Sequence, residues 1–339
     1  MIILQKISLA FGEQNIFDNI SWNINKDNRI GLVGRNGSGK STLLKAVAGL
    51  QSLDSGLVST EKGSTIGYMP QEVVLQSDKT VYEEAFSVFS QIKKLTEERD
   101  LLEKNLEDPD VLDRYAQVQS DLLEIDVAGS EVKTNKILEG LGFAGDRINE
   151  PVSELSVGWR MRVVLAKLLL QKADFYLFDE PTNHLDIVTK DWFLHFLKNS
   201  SFGFMLVCHD RYFLDHLCTK IFELELGRGT LYHGNYTFYS EQKEERQRVL
   251  GQTAQRQEKE LARQMKTVER FRASASKSKM AQSMLKRIEK TERIEVVSRE
   301  KTVAFSFPPI VRSGKIVLTV EGVGHSFGDK KIFSNASCQ

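Results

Sequence analysis

The stretch Gly34–Thr42, GRNGSGKST, constrains this chain more than any other nine residues. It has the spacing G-x-x-x-x-G-K-[ST], follows the apolar run Ile30–Val33 and opens a helix-forming segment. That is a strand, a tight loop and a helix, in that order. The glycines let backbone amides turn inward around phosphate oxygens, and the helix N-terminus adds a favourable field. Gly34, Asn36, Gly37, Ser38, Gly39, Lys40, Ser41 and Thr42 are therefore candidate phosphate-binding residues. Lys40 should reach the β- and γ-phosphates and Ser41 should ligate Mg²⁺. The plain alternative is a glycine-rich strand–helix turn with no ligand.

A second stretch, FYLFDEPTNHLD from Phe175 to Asp186, ends an apolar run with two carboxylates. Ligands bind at the carboxyl edge of a parallel sheet. Asp179 is suited to hold Mg²⁺ through water, and Glu180 to polarise a water for attack on the γ-phosphorus. The bland reading of a lone Asp-Glu pair is a solvated strand end. His209 closes another apolar run, FMLVCHD, and could donate to the γ-phosphate, although a lone histidine is more often structural. Gln71 follows GYMP, placed to bridge metal and water.

Apolar runs alternate with helical patterns, which argues for a parallel α/β sheet. From Thr80 to about Asp126 the pattern is helical and charged, broken at Glu107–Asp110, as expected of a helical hairpin. Residues 221–238 read as closing antiparallel strands. Beyond Tyr239, Leu250, Ala254, Gln257, Leu261, Met265 and Val268 recur at helical spacing. The stripe is interrupted at SASKSK (Ser274–Lys279), resumes at Met280, Met284, Leu285 and Ile288, and stops at Phe307–Pro309. Two long antiparallel helices with a basic tip are expected there.

Charge matters at one place. The formal net charge is zero, yet Arg263–Arg293 holds ten Lys/Arg against three Asp/Glu, so the remainder is acidic by the same excess. A split of this kind points to an anionic partner for that segment. Phe271 is its only aromatic residue, which favours backbone and shape recognition over base stacking. The alternative is a solvated charged coiled coil. No stretch approaches the ~18 apolar residues of a membrane span. Cys208, Cys218 and Cys338 form no metal-type pair, and MIILQKISLAFG reads as a strand rather than a signal peptide.

The chain also repeats its own beginning. LAFGEQNIFDNIS (Leu9–Ser21) and HSFGDKKIFSNAS (His325–Ser337) share six of thirteen positions.

Together these motifs resemble the ATP-binding cassette family over residues 1–240. Gln71 matches its Q-loop, LSVGW (Leu155–Trp159) its signature, NHLD its D-loop and His209 its switch histidine; Phe11 lies where the adenine-stacking aromatic belongs. The resemblance implies a P-loop NTPase cassette with an antiparallel β-subdomain and a helical subdomain, followed by a long antiparallel helical hairpin. It implies ATP and Mg²⁺ as ligands, with Ser41, Gln71 and Asp179 at the metal and Glu180, His209, Lys40 and Gln71 in catalysis. Ser156 and Gly158 would contact the γ-phosphate held by another cassette. The usual signature has two glycines; Val157 stands in place of the first, and its β-branched side chain restricts the backbone where phosphate must approach.

Within the family the chain looks most like the ABC-F class, soluble tandem cassettes acting on ribosomes. LSVGWRMR, EPTNHLD and KSKMAQSMLKRIEK (Lys277–Lys290) carry that likeness. It implies a first cassette at 1–239 with an arm at about 80–126, a basic interdomain linker at 240–304, and the first strands of a second, truncated cassette at 315–339. It further implies a cytoplasmic ATPase bound at the ribosomal tRNA exit site, its linker directed to the P-site tRNA, with rRNA and tRNA as partners and no membrane. The alternatives are an ATP-switched binder of branched DNA and the ATPase subunit of a membrane transporter.

Overall fold

The apolar run before the phosphate loop is a central strand of a six-stranded sheet. The computed structural model describes residues 1–339 except 13, 74, 104–108, 125, 273–277, 290–305, 307–315, 317 and 329. It falls into two compact units, Met1–Val249 and Leu250–Gln339.

In the first unit, β1 (Ile2–Phe11) and β2 (Gln14–Ile24) form an antiparallel hairpin, and β3 (Arg29–Val33) leads into helix α1 (Lys40–Val47). Strand β4 (Ser55–Thr60) returns to β1, giving a three-stranded sheet in the order β2-β1-β4. The buried alternation of β1 changes phase between Leu4 and Ile7, where the register shifts and Lys6 adopts φ 47°. Such a bulge restores the inward direction of Ile7 and Leu9.

The large sheet adds β5 (Ile66–Met69), β6 (Phe175–Asp179), β7 (Gly203–Val207), β8 (Lys220–Glu225) and β9 (Arg228–His233), in the order β5-β6-β7-β3-β8-β9. Its first five strands run parallel and β9 is antiparallel. Every residue of β6 and β7 is buried, as expected of strands covered on both faces.

Helices α2 (Val81–Phe86), α3 (Ser90–Leu102), α4 (Pro109–Glu124), α5 (Val127–Gly140) and α6 (Val157–Leu170) intervene between β5 and β6. A capping box starts α2: Glu83 N–H donates to Thr80 Oγ1 at 3.2 Å, and Thr80 N–H to Glu83 Oε2 at 2.9 Å. Helices α3 and α4 share a small core of Ile92, Val118 and Leu122, and Arg114 grips Glu98 through Nε and Nη2 at 2.7 and 3.1 Å. Pro109 begins α4, where a missing amide costs nothing. Helices α7 (Ile187–Lys198) and α8 (Arg211–Leu217) connect β6 to β7 and β7 to β8.

One sequence expectation shifts. Residues 221–238 do hold antiparallel strands, but those end at His233, and Tyr236–Phe238 open α9 (Tyr236–Arg272), a continuous helix of 37 residues. Its first turns are fixed by a buried carboxylate. Glu223 accepts from Tyr239 Oη at 2.8 Å and Tyr232 Oη at 3.2 Å and pairs with Lys243. That cluster needs residues from three elements, which no local pattern announces.

The second unit contains α10 (Ser278–Glu289) and the hairpin of β10 (Val320–Phe327) and β11 (Lys330–Cys338). Most of the SASKSK tip, the Phe307–Pro309 stop and the segment 290–305 lie outside the described residues. Among the described residues no helix is long and apolar enough to cross a membrane.

Candidate functional site

The loop after β3 closes over itself. A Cβ at Gly34 would lie 2.4 Å from the Leu224 carbonyl oxygen, and one at Gly39, with φ 96°, 2.4 Å from Ile16 Cγ2. Any larger residue would push the loop off β8 or β2. Lys40 folds back across the turn and donates from Nζ to the carbonyls of Gly34 at 2.9 Å and Arg35 at 3.0 Å. Desolvation lowers its pKa, and the negative charges of Glu180 and Asp179 oppose that shift. Asn36 and Gly37 are exposed at the tip, while Ser38, Gly39, Ser41 and Thr42 are half-buried at the helix start.

Asp179 ends β6 and Glu180 follows it with φ 53°, its amide donating to the Val207 carbonyl at 2.9 Å. This left-handed step is costly for a non-glycine residue and swings the carboxylate toward β7. There Glu180 Oε1 meets His209 Nε2 at 3.2 Å. His209 does not close the strand as the sequence implied; β7 stops at Val207, and the histidine stands two residues beyond, mostly exposed. Burial raises the pKa of both acids, countered at Asp179 by a Ser41 hydrogen bond and at Glu180 by His209.

Among the described residues, four buried polar atoms here lack a hydrogen-bond partner: Ser38 Oγ, Tyr68 Oη, Asp179 Oδ1 and Glu180 Oε2. Buried acceptors are rarely left unpaired. The deficit suits a ligand that brings positive charge and donors, and Asp179 with Ser41 supplies the one-carboxylate, one-hydroxyl share of a shell that Mg²⁺ completes with phosphate and water. The residues present therefore fit a magnesium nucleotide.

Tyr68 was not foreseen. Burial and the Asp179 charge push its hydroxyl up to about 12. Position 68 in a short strand reads only as apolar alternation, so no sequence signal marks it. Arg162 is also new in its role: it is buried and donates to the carbonyls of His184 at 3.1 Å and Leu141 at 3.2 Å and to Asp186 at 2.9 Å. Asp186 in turn caps α7 through the Thr189 amide at 2.9 Å. The NHLD turn is thereby tied to α6.

The remaining candidates lie apart. Phe11 is 53% exposed at the end of β1. Gln71 is exposed two residues beyond β5, and its side chain makes no hydrogen bond among the described residues. Ser156 is the exposed N-cap of α6 and makes no capping bond; Gly158 is the second residue of the helix, where a Cβ would meet His184 only at 3.7 Å. Internal packing thus does not require glycine at 158, which is half-buried. Val157 occupies the first helical position, 59% exposed and without positive φ, so its β-branch strains nothing in this chain.

Two family models, both described as ABC transporter, match residues 17–183 and 222–307. ABC transporter F family member 2 of Arabidopsis thaliana is 32% identical over 98% of this chain and 51% of its own length. The energy-dependent translational throttle protein EttA of Haemophilus influenzae is 34% identical over 96% of the chain and 59% of its own. The chain spans about half the length of several curated relatives it matches. A solved ATP-binding subunit of an ABC transporter shares the fold, with a TM-score of 0.51 and 17% identity over 69% of this chain and 90% of that one. With family models matching residues 17–183 and 222–307 and F-family relatives along nearly its whole length, the chain belongs to the ATP-binding cassette family, in its ABC-F class.

Proposed function

We propose that the chain is the first half of an ATPase that binds the ribosome at the tRNA exit site and couples nucleotide state to the basic segment Arg263–Arg293. The observation that carries the reading is the buried Glu180, held by His209 at 3.2 Å, its charge felt by Lys40 of the phosphate loop. Phe11 stacks on adenine, the loop amides and Lys40 hold the phosphates, and Glu180 orients the attacking water while His209 donates to the γ-phosphate. Ser41 and Asp179, with Gln71, would hold Mg²⁺, which when bound would supply positive charge to offset that of the phosphate oxygens. Ser156 and Gly158 contact the nucleotide of a second cassette, which begins near Lys315. The hairpin at 320–338, paired as β1–β2 is, supports that beginning.

A relative named a translational throttle supports a role in translation, and we place that role in the cytoplasm. The linker takes its affinity from RNA phosphate, so binding falls steeply with salt. Glu180→Gln should retain ATP binding and lose turnover by about a hundredfold or more. Pelleting with ribosomes, at two salt concentrations and against branched DNA and membranes as competitors, tests the partner. Retention of Glu180→Gln on ribosomes in ATP, stronger than wild type, supports the reading; preference for branched DNA or membranes overturns it. Because each site needs two cassettes, hydrolysis by this chain alone should be weak and rise with protein concentration.

A further inference from the structure

Far from the phosphate loop, α5, the end of α7 and the start of β6 frame a cavity of about 690 Å³. That volume suits a small organic ligand. One wall is a file of four aromatic rings. Tyr176 meets Phe202 at 4.4 Å between centroids, Phe202 meets Phe196 at 6.4 Å, and Phe196 stacks on Trp192 at 5.3 Å. Only Tyr176 is fully buried; the other three keep part of their surface open. The wall is fixed in place: a Cβ at Gly140 would fall 1.9 Å from Trp192 Cε2, so the indole lies directly on the backbone of α5.

The rim is cationic. Lys133, Lys136 and Lys172 line the cavity, no carboxylate does, and none of the three has a recorded ion pair among the described residues. Although much of the Lys133 side chain is exposed, desolvation and then the Lys172 charge hold its ammonium below the ordinary lysine range. Two ammonium groups brought together on an aromatic surface repel each other, and an anion between them relieves that repulsion.

We propose that this cavity binds a small planar aromatic anion, its ring against Trp192 and Phe196 and its acid group between Lys133 and Lys172. The site is separate from the nucleotide loop: Tyr176 enters β6 three residues before Asp179, about 10 Å along the strand.

The test is calorimetric titration of the whole chain with 1-naphthalenesulfonate and with neutral 1-naphthalenemethanol. One sulfonate should bind per chain, about tenfold tighter than the alcohol. A Lys133→Gln/Lys172→Gln variant should bind sulfonate no better than alcohol, with unchanged circular dichroism, thermal midpoint and alcohol affinity. Trp192→Ala should weaken both probes. Saturating ATP should leave sulfonate binding intact. Equal affinity for the two probes, sulfonate binding indifferent to the lysines, displacement by ATP, or no saturable binding of either probe would overturn the proposal.

Discussion

The first and last hairpins of the described chain have the same backbone and opposite surroundings. Leu4↔Trp22, Ile7↔Ile20, Leu9↔Phe17, Ala10↔Asn15 and Phe11↔Gln14 correspond, pair for pair, to Val320↔Cys338, Val323↔Ala336, His325↔Phe333, Ser326↔Lys331 and Phe327↔Lys330. Left-handed residues recur at matching places: Lys6, Gly12 and Asn19 in one, Gly322, Gly328 and Asn335 in the other. Even a side-chain bond repeats, from Lys6 N–H to Ser21 Oγ at 2.9 Å and from Gly322 N–H to Ser337 Oγ at 3.0 Å. Yet Ile16 and Phe17 are 7% and 2% exposed, while Ile332 and Phe333 are 50% and 45% exposed. Turn residues and bulges write the hairpin; they do not bury it. The first hairpin gains β4 and the apolar residues of β3, α1 and β8 as partners.

Substitutions made in matched pairs test that separation. Ile7→Ala removes a fully buried side chain and should destabilise the first unit by roughly 2–5 kcal/mol in denaturant unfolding, whereas Val323→Ala should change stability by less than about 0.5 kcal/mol. Similar losses at both sites would break the comparison. Phe11→Ala should weaken ATP binding by about fivefold in equilibrium titration, as loss of a stacking contact does, while Phe327→Ala should leave it unchanged. A matching loss at Phe327 would mean that the last hairpin, too, supports a nucleotide in this chain.

Smaller effects should be shared, because they are local. Gly12→Ala and Gly328→Ala each force a side chain into the left-handed region at φ 62° and 56°, in open space. Each should cost about 1 kcal/mol in local opening, read from amide exchange within its own hairpin. Ser21→Ala and Ser337→Ala should each lower protection of the paired amide, Lys6 or Gly322, by on the order of 0.5–1 kcal/mol. Unequal effects within either of these pairs would show that burial reaches into the turn chemistry after all.

The same division runs through the candidate site. The phosphate loop was legible because its function demands a local sequence: glycines where the loop touches Leu224 and Ile16, and a lysine at the helix start that reaches back to the loop carbonyls of Gly34 and Arg35. Asp179 and Glu180 were legible from the apolar run before them. The extent of α9 was not, since Tyr236–Phe238 suit a strand or a helix equally until Glu223, Tyr239 and Lys243 meet. Nor were Tyr68, which sheet order sets near the Asp179 charge, and Arg162, whose hydrogen-bond partners lie far away in sequence.

By itself the sequence determined the strand–loop–helix that can hold phosphate, the repeated hairpin and the parallel α/β class. These follow from torsional preference, turn chemistry and hydrophobic period, which act over a few residues. Tertiary structure alone decided that β6 and β7 lie side by side, so that Glu180 meets His209, and that Asp179, Tyr68 and Lys40 share one desolvated space. Desolvation and charge pairing depend on which distant segments exclude water together, and sheet order, not local sequence, sets that.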